Sequence, residues 1–236
     1  MRNVLIIVKR ELQAYFVSPI AYVIATAFLA ITGYLFSMIL HYSREATLQY
    51  LFMNMTTILL LIAPVLTMRL LAEEQSKGTI ELLLTSPVRD WEIALGKYLA
   101  SLGLFAVMLI LTGYYPVLLR IYGNPDFGPI WGGYLGVFLL GATLLSLGLF
   151  TSSLTSNQIV AAVLGFVLVL AFWLLGALSG VVTGTLGNVV NYLDLSSHFN
   201  EFPQGVIDSK DVIYALSIIT GSLFLTTRIL EMRRWR

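Results

Sequence analysis

The chain has 236 residues, of which 58% are hydrophobic and 11% charged, and its formal net charge is +1. Soluble domains carry about 25% charged residues, so this composition excludes an ordinary soluble protein. Cysteine is absent, which excludes disulfides, thiolate metal sites and cysteine nucleophiles. The apolar residues form continuous runs near the ~20 residues of a membrane-spanning helix, unlike the ~10-residue alternating segments of a membrane β-barrel. We therefore predict an all-α integral membrane protein with a single domain over residues 1–236.

Residues 1–17 form the first predicted element. Read as a helix, this segment has four apolar residues on one side: Leu5, Val8, Leu12 and Phe16. Its apolar core is too short for a secretory signal peptide, and charged residues follow it at once. We therefore predict an amphipathic helix that lies in the membrane interface.

Six apolar runs follow, each close to the length of a membrane span. We predict spans at Pro19–Leu40, Leu51–Leu71, Lys97–Leu119, Trp131–Leu154, Gln158–Val182 and Val212–Leu230. An even number of spans places both termini on one side of the membrane. If that side is the cytoplasm, every basic residue except Arg44, Arg120 and Lys210 lies inside, as the positive-inside rule requires.

Two connections between the predicted spans are long: the cytoplasmic segment 72–96 and the outer segment 183–211. Loops carry function more often than the elements they connect, so we expect function in these two segments. The outer segment mixes aromatic and acidic residues with His198. We predict no specific ligand contact for any residue of this outer segment.

The predicted spans carry no Asp, Glu or His away from their ends. Proton- and sodium-driven transporters need such groups at membrane depth, so the sequence disfavours ion coupling.

An intramembrane enzyme is also disfavoured. The only histidines, His41 and His198, fall in outer loops, and the string Ala177–Gly180 lacks the leading glycine of a rhomboid-type protease motif.

An ATP-binding motif is also missing from the sequence. The pair Gly96-Lys97 is followed by Tyr98 rather than Ser or Thr, and Trp91 stands where the first glycine of a P-loop belongs. We therefore expect this chain to hold no cofactor or metal, to catalyse no reaction and to bind no nucleic acid.

Small residues recur at four-residue spacing in two predicted spans. Gly176, Gly180 and Gly184 form one series, and Gly132 and Gly136 form another. Such spacing lets two helices approach closely. A seam between two subunits and packing within one subunit explain it equally well.

The segment 72–96 combines acidic and apolar residues in an unusual order. Gly78 interrupts an acidic run, and the residues from Thr79 to Leu84 can form a short helix with an apolar face. Pro87 can begin a further helix, since the acidic residues that follow it favour the positive end of a helix. From its residues alone, this segment is either a compact helical elbow with apolar and acidic surfaces or an ordinary interfacial loop.

The order of residues from 73 to 87 is more specific: Glu-Glu-x-x-x-Gly-Thr-Ile-Glu-Leu-Leu-Leu-x-x-Pro, followed by Gly96-Lys97. It resembles the signature of ABC-2-type transporter permeases. The resemblance implies a type V exporter-like permease fold, with residues 1–17 as the elbow helix and residues 72–96 as a coupling segment that docks on an ATPase. It implies seven coupling residues here: Glu73, Glu74, Gly78, Thr79, Glu81, Leu82 and Pro87. Asn157, in the short turn between the fourth and fifth spans, is predicted to make a smaller second contact.

Two further stretches, 148–159 and 198–214, resemble the permeases associated with gliding motility in bacteria. The resemblance implies a multi-pass protein of the bacterial inner membrane, with both termini cytoplasmic. Its expected partners are membrane lipid, a separate ATPase that carries ATP and magnesium, a second identical or homologous permease, and a large extracytoplasmic protein. The expected function is export. The alternative is a mechanical or scaffolding complex that drives the extracytoplasmic partner without moving a solute.

Overall fold

The structure is a computed structural model that describes residues 2–43, 45–81, 88–179 and 192–234. Within these ranges the chain is helical throughout, with short connections. The helices are α1 (Arg2–Val17), α2 (Pro19–Ser43), α3 (Gln49–Thr67), α4 (Ala72–Ser76), α5 (Asp90–Leu111), α6 (Tyr114–Tyr122), α7 (Phe127–Leu154), α8 (Gln158–Ser179), α9 (Leu195–Phe199) and α10 (Ser209–Arg234). A 3-10 turn at Phe202–Gln204 lies between α9 and α10.

The described part of the chain contains six helical stretches long and apolar enough to cross a membrane, which confirms the predicted number of spans. They are α2, α3 with α4, α5 with α6, α7, α8 and α10. A polypeptide in lipid must satisfy its backbone groups internally, and helices do so.

The helix that contains the third span begins before the predicted start of that span, where the acidic residues after Pro87 predict a helix start. The helix begins at Asp90 rather than Lys97, because the acidic residues of its first turn stabilise the end that carries free N–H groups. The Glu92 carboxylate reaches back and accepts a hydrogen bond from the Arg89 backbone N–H at 3.0 Å. Lys97 consequently lies two turns inside the helix.

The third span is also interrupted near its other end, between α5 and α6. Thr112 and Gly113 break the regular helix there. The Tyr134 hydroxyl of α7 donates to the Thr112 carbonyl at 2.8 Å, and the Tyr115 hydroxyl of α6 donates to Thr32 of α2 at 2.9 Å. These bonds satisfy polar groups that lipid would leave unpaired.

Helix α7 is the centre of the bundle. It packs against α3, α5, α8 and α10, and more of it is buried than of any other described span. Its glycines permit this close packing, since a Cβ added to Gly136 would lie 2.4 Å from the Phe202 Cβ, and one added to Gly132 would lie 2.7 Å from the Phe202 carbonyl oxygen. The Gly132 and Gly136 pair therefore serves packing within this subunit.

Gly176 of the other glycine series lies beside the Asp194 carboxylate of the same chain, while Gly180 and Gly184 fall outside the described residues. Three spans, α2, α8 and α10, bury only about a fifth of their apolar stretch or less within the subunit. Their exposed faces are apolar, with side chains such as Val23, Val163 and Phe224. These faces meet lipid or another membrane subunit.

Candidate functional site at the near end of the bundle

One end of the bundle gathers α1, α4, the start of α5, the α7–α8 turn and the last turn of α10. We call it the near end, and the opposite end the far end. Helix α1 lies along α5, where the Asn3 side chain donates to Glu92 at 3.2 Å. The buried face of α1 carries Val4 and Ile7, whereas Leu5 and Phe16, on the predicted apolar side, are exposed.

A buried lysine joins three helices at the near end. The Lys97 side chain of α5 is 1% exposed, and its Nζ lies 2.9 Å from a Glu74 oxygen and 3.2 Å from a Glu11 oxygen. The Arg10 guanidinium contacts the same two carboxylates at 3.2 Å and 2.6 Å. Residues from α1, α4 and α5 thus form one cluster of alternating charge, which we call the Lys97 cluster.

The Lys97 cluster favours the ionised form of the Glu11 carboxyl. Burial raises the pKa of the Glu11 carboxyl, but Lys97 and Arg10 outweigh this effect and hold that pKa below its ordinary value. A buried ion pair with good geometry is costly to break, because removal of one partner leaves the other charge uncompensated. The cluster therefore fixes α4 against α1 and α5.

Glu73, the neighbour of Glu74, is held by a second set of charges. The Arg69 guanidinium donates two hydrogen bonds, of 2.7 Å and 3.0 Å, to the Glu73 carboxylate. Lys77 Nζ lies 2.6 Å from the same carboxylate. A bidentate arginine–carboxylate pair fixes the orientation of both side chains and also pairs their charges. Glu73 and Glu74, two of the three predicted acidic coupling residues, therefore bind side chains of their own subunit.

Ser152 ties the start of α4 to the end of α7. Its hydroxyl oxygen accepts hydrogen bonds from the backbone N–H groups of Leu71 and Ala72, each at 3.1 Å, and donates to the Met68 carbonyl at 3.1 Å. The Gln75 side chain adds a bond of 3.1 Å to the Ser153 carbonyl. These bonds satisfy N–H groups that the first turn of a helix leaves open.

The last turn of α10 closes the near end. The Arg234 guanidinium lies 2.9 Å from an Asp90 oxygen and also donates to the Val88 carbonyl at 3.2 Å. Arg233 donates to the Ser153 carbonyl at 3.3 Å. The end of α10 thus joins the later residues of the predicted coupling segment to the α7–α8 turn.

The residues that follow α4 form an exposed tip. Gly78 has a φ of +68°, a left-handed conformation that glycine adopts without strain, and it turns the chain sharply. Lys77, Gly78, Thr79 and Glu81 are exposed, whereas the Ile80 side chain is 8% exposed and packs into the core. We call residues 76–81 the coupling tip. Leu82 and Pro87, the remaining predicted coupling residues of this segment, lie outside the described residues.

Asn157 lies in the α7–α8 turn and is exposed. Its side-chain oxygen accepts hydrogen bonds from the backbone N–H groups of Ile159 and Val160, at 2.9 Å and 3.3 Å. This is the geometry of a helix N-cap. Asn157 therefore has a structural role at the start of α8, and its predicted contact with an ATPase stays a prediction.

The prediction of coupling residues missed Lys97, Glu11 and Ser152 as the groups that brace α4. The Gly96-Lys97 pair was part of the recognised pattern, but its sequence contains no signal that Lys97 pairs with a residue of α1. Ser152 lies in the turn selected for a second contact, where its hydroxyl proves to be buried.

The far end contains a second buried polar group. His198 Nδ1 lies 2.6 Å from an Asp211 oxygen, and its ring stacks on Tyr214 with 4.0 Å between centroids. The Tyr214 hydroxyl donates to the Leu193 carbonyl at 2.9 Å, and Asp194 caps α9. These polar groups hold the connection before α10 together. Within the described ranges no cluster of His, Asp or Glu is suited to bind a metal ion.

Comparison with known families places the chain beside a transporter family. A family model described as "ABC-2 family transporter protein" matches residues 22–219. This range begins in α2 and ends in α10, so it includes most of the chain and touches all six apolar spans. Comparison with curated proteins gives no significant match.

Proposed function

The chain belongs to the ABC-2 family of transporter proteins, and from that premise we propose that it is the permease subunit of an ATP-driven exporter. Members of the family are membrane subunits, and the family implies an ABC ATPase partner. We further propose that the near end faces the cytoplasm and receives this ATPase. The proposed direction of transport, export, is based on the sequence resemblance.

The observation that carries this proposal is the contrast between the coupling tip and its base. The tip, residues 76–81, is largely exposed, while α4 behind it is fixed by the Lys97 cluster, by Arg69 and by Ser152. A docking element must be accessible to its partner and rigidly joined to the parts that it moves. The near end has both properties.

The proposed motion starts at the ATPase. Closure of two ATPase subunits around ATP displaces the coupling tip. Because α4 is bonded to α1, α5 and α7, a displacement of the tip moves these helices together as one body, a known type of switching transition. ATP supplies the direction, since it binds the closed ATPase arrangement more tightly than the open one.

The proposed assembly contains two permease subunits and two ATPases. The exposed apolar faces of α2, α8 and α10 are candidate surfaces for the second permease, identical or homologous. Membership of the gliding-motility subgroup, the large extracytoplasmic partner and the alternative mechanical role rest on the sequence resemblance, and they stay predictions.

The test is co-purification from the native membrane with a tagged Glu81→Lys variant. Glu81 is an exposed residue of the coupling tip, so reversal of its charge alters the docking surface. The matched control is Glu231→Lys, since the Glu231 side chain is 40% exposed near the end of α10 at the same end of the bundle. Mass spectrometry identifies the retained proteins, and ATPase assays measure their activity.

We expect the wild type and Glu231→Lys to retain a Walker-motif ATPase and Glu81→Lys to lose most of it. A stable wild type that brings down no ATPase under several mild detergent conditions would contradict the proposed partner. Equal recovery by all three proteins would contradict the proposed docking surface.

A further inference from the structure

A pocket at the far end lies on an exposed face of α6 and α7. Its cavity measures about 330 Å³, within the ~300–1,000 Å³ of typical ligand pockets. The main lining side chains are Pro116, Val117, Arg120, Phe127, Trp131 and Tyr134. We call it the Arg120 pocket.

The break between α5 and α6 shapes this pocket. Gly113 lines the cavity at the break, and the bond from the Tyr134 hydroxyl to the Thr112 carbonyl holds α7 beside it. Pro116 follows in the first turn of α6, where its missing N–H has no cost. The pocket is therefore built into the helices and does not depend on a loop.

Among the residues that the structure describes, Arg120 is the only charged one that lines the pocket. Its guanidinium lies over the Phe127 ring, 5.7 Å from the ring centroid. No carboxylate of the described residues forms an ion pair with it, whereas Lys210, the other described basic residue of the predicted outer side, pairs with Asp208 at 3.1 Å. A cation without an acidic partner thus lies at the edge of an apolar cavity.

We propose that the Arg120 pocket binds one anionic phospholipid of the surrounding membrane. The guanidinium binds the phosphate, a group that matches the geometry of arginine donors. An acyl chain lies in the cavity along Val117 and Trp131, both of which are more than half exposed in this subunit. Trp and Tyr side chains are enriched at the depth of lipid headgroups, which fits the positions of Trp131 and Tyr134.

The composition of the pocket selects this occupant. An anionic lipid fits better than a zwitterionic one, because no Asp or Glu lines the pocket to hold an ammonium group. A free phosphate ion fits less well, since the cavity wall beside Arg120 is almost wholly apolar and an ion would leave it empty. The proposal does not depend on the ATPase, so it can fail or succeed independently of the proposed function.

The test is native mass spectrometry of the full-length protein with its co-purified subunits, after detergent exchange has removed most lipid. The probes are phosphatidylglycerol, phosphatidylcholine of the same chain length, and inorganic phosphate. Arg120→Gln removes the charge, Arg120→Lys keeps it, and Val117→Trp fills the cavity. Lys210→Gln and Ile213→Trp are matched controls, since Ile213 is an exposed apolar residue outside the pocket.

We expect the tightest phosphatidylglycerol site to weaken about tenfold in Arg120→Gln, because a charge-assisted bond is lost, and less in Arg120→Lys. Val117→Trp weakens it too, while both controls bind as the wild type does. Equal binding of the two lipids, equal binding by Arg120→Gln and wild type, or displacement of the lipid by phosphate would overturn the proposal. A Val117→Trp variant that loses a second permease subunit would also overturn it, by showing that the pocket is a subunit interface.

Discussion

The near end and the far end of the bundle both bury ionisable side chains, but the paired residues lie at different distances from each other in the sequence. At the near end, Lys97 pairs with Glu11, which lies 86 residues away, and Ser152 bonds the backbone 81 residues away. At the far end, His198 pairs with Asp211 only 13 residues away. The near end therefore joins separate helices through its charged groups, whereas the His198–Asp211 pair of the far end holds one connection together.

This difference matters for transmission of force. A set of bonds between α1, α4, α5, α7 and α10 makes these helices move together when the coupling tip moves. The bonds around His198 stabilise the residues before α10 and reach no exposed tip. The predictions below test whether the two ends differ in this way, from the largest expected effect to the smallest.

Replacement of Lys97 by Met should have the largest effect. Glu11 and Glu74 would lose the buried cation that they share and keep Arg10, which is 52% exposed. Loss of one partner of a buried ion pair costs up to about 3–5 kcal/mol. Thermal unfolding of the detergent-purified protein measures this loss. Lys77→Met is the control, because the Lys77 side chain is 64% exposed and exposed pairs contribute about 0–1 kcal/mol. Similar effects of both variants would contradict the assigned burial of Lys97.

Replacement of His198 by Phe should have the next largest effect. The ring can still stack on Tyr214, but Asp211, which is 1% exposed, loses its partner, and an unsatisfied buried polar group costs about 1–3 kcal/mol. A second change, Asp211→Leu, should restore most of the stability, because apolar replacement of both partners is close to neutral. Recovery of the ATPase should be unchanged in either variant. A loss of ATPase from the folded double variant would remove the distinction between the two ends.

Ser152→Ala should have a smaller effect at the near end. It removes the oxygen that accepts from Leu71 and Ala72, and loss of a helix cap costs about 0.5–2 kcal/mol. The matched control is Ser153→Ala, whose hydroxyl donates only to the Phe150 carbonyl within α7. Both variants keep the backbone carbonyls of the turn. Unfolding curves that coincide would show that Ser152 does not brace α4.

The smallest effect concerns pH. The pKa of Glu11 is held below its ordinary value in the folded protein. The ionised Glu11 carboxylate therefore stabilises the folded protein fully above the unfolded-state pKa of about 4.3. This stabilisation is lost as pH falls through the pKa of the folded protein. Glu11→Gln should therefore lose less stability than the wild type over this acidic window. Melting temperatures between neutral pH and the acidic limit of solubility measure the difference. If the melting temperature of the wild type exceeded that of Glu11→Gln by more as pH falls, the direction of the Glu11 pKa shift would be contradicted.

The sequence was sufficient to predict features that depend on local pattern. The six spans follow from runs of apolar residues, and the acidic first turn of α5 follows from Asp90 and Glu92. The packing of Lys97 and the role of Ser152 could not be predicted in this way, because their partners are fixed only when α1 and α7 come together. The break in the helix at Thr112 could not be predicted either. The Tyr134 hydroxyl that bonds the free Thr112 carbonyl belongs to the next span, so the local sequence does not show this partner.

The most direct test of the central claim is a photo-crosslink from the coupling tip. A photoreactive phenylalanine analogue is placed at Thr79, at the exposed tip of the near end, and in a second protein at Val206, which is 51% exposed at the far end. After irradiation of native membranes, we predict that the Thr79 probe crosslinks to a Walker-motif ATPase and that the Val206 probe does not. An ATPase crosslinked from Val206 and not from Thr79 would place the partner at the opposite end and contradict the account.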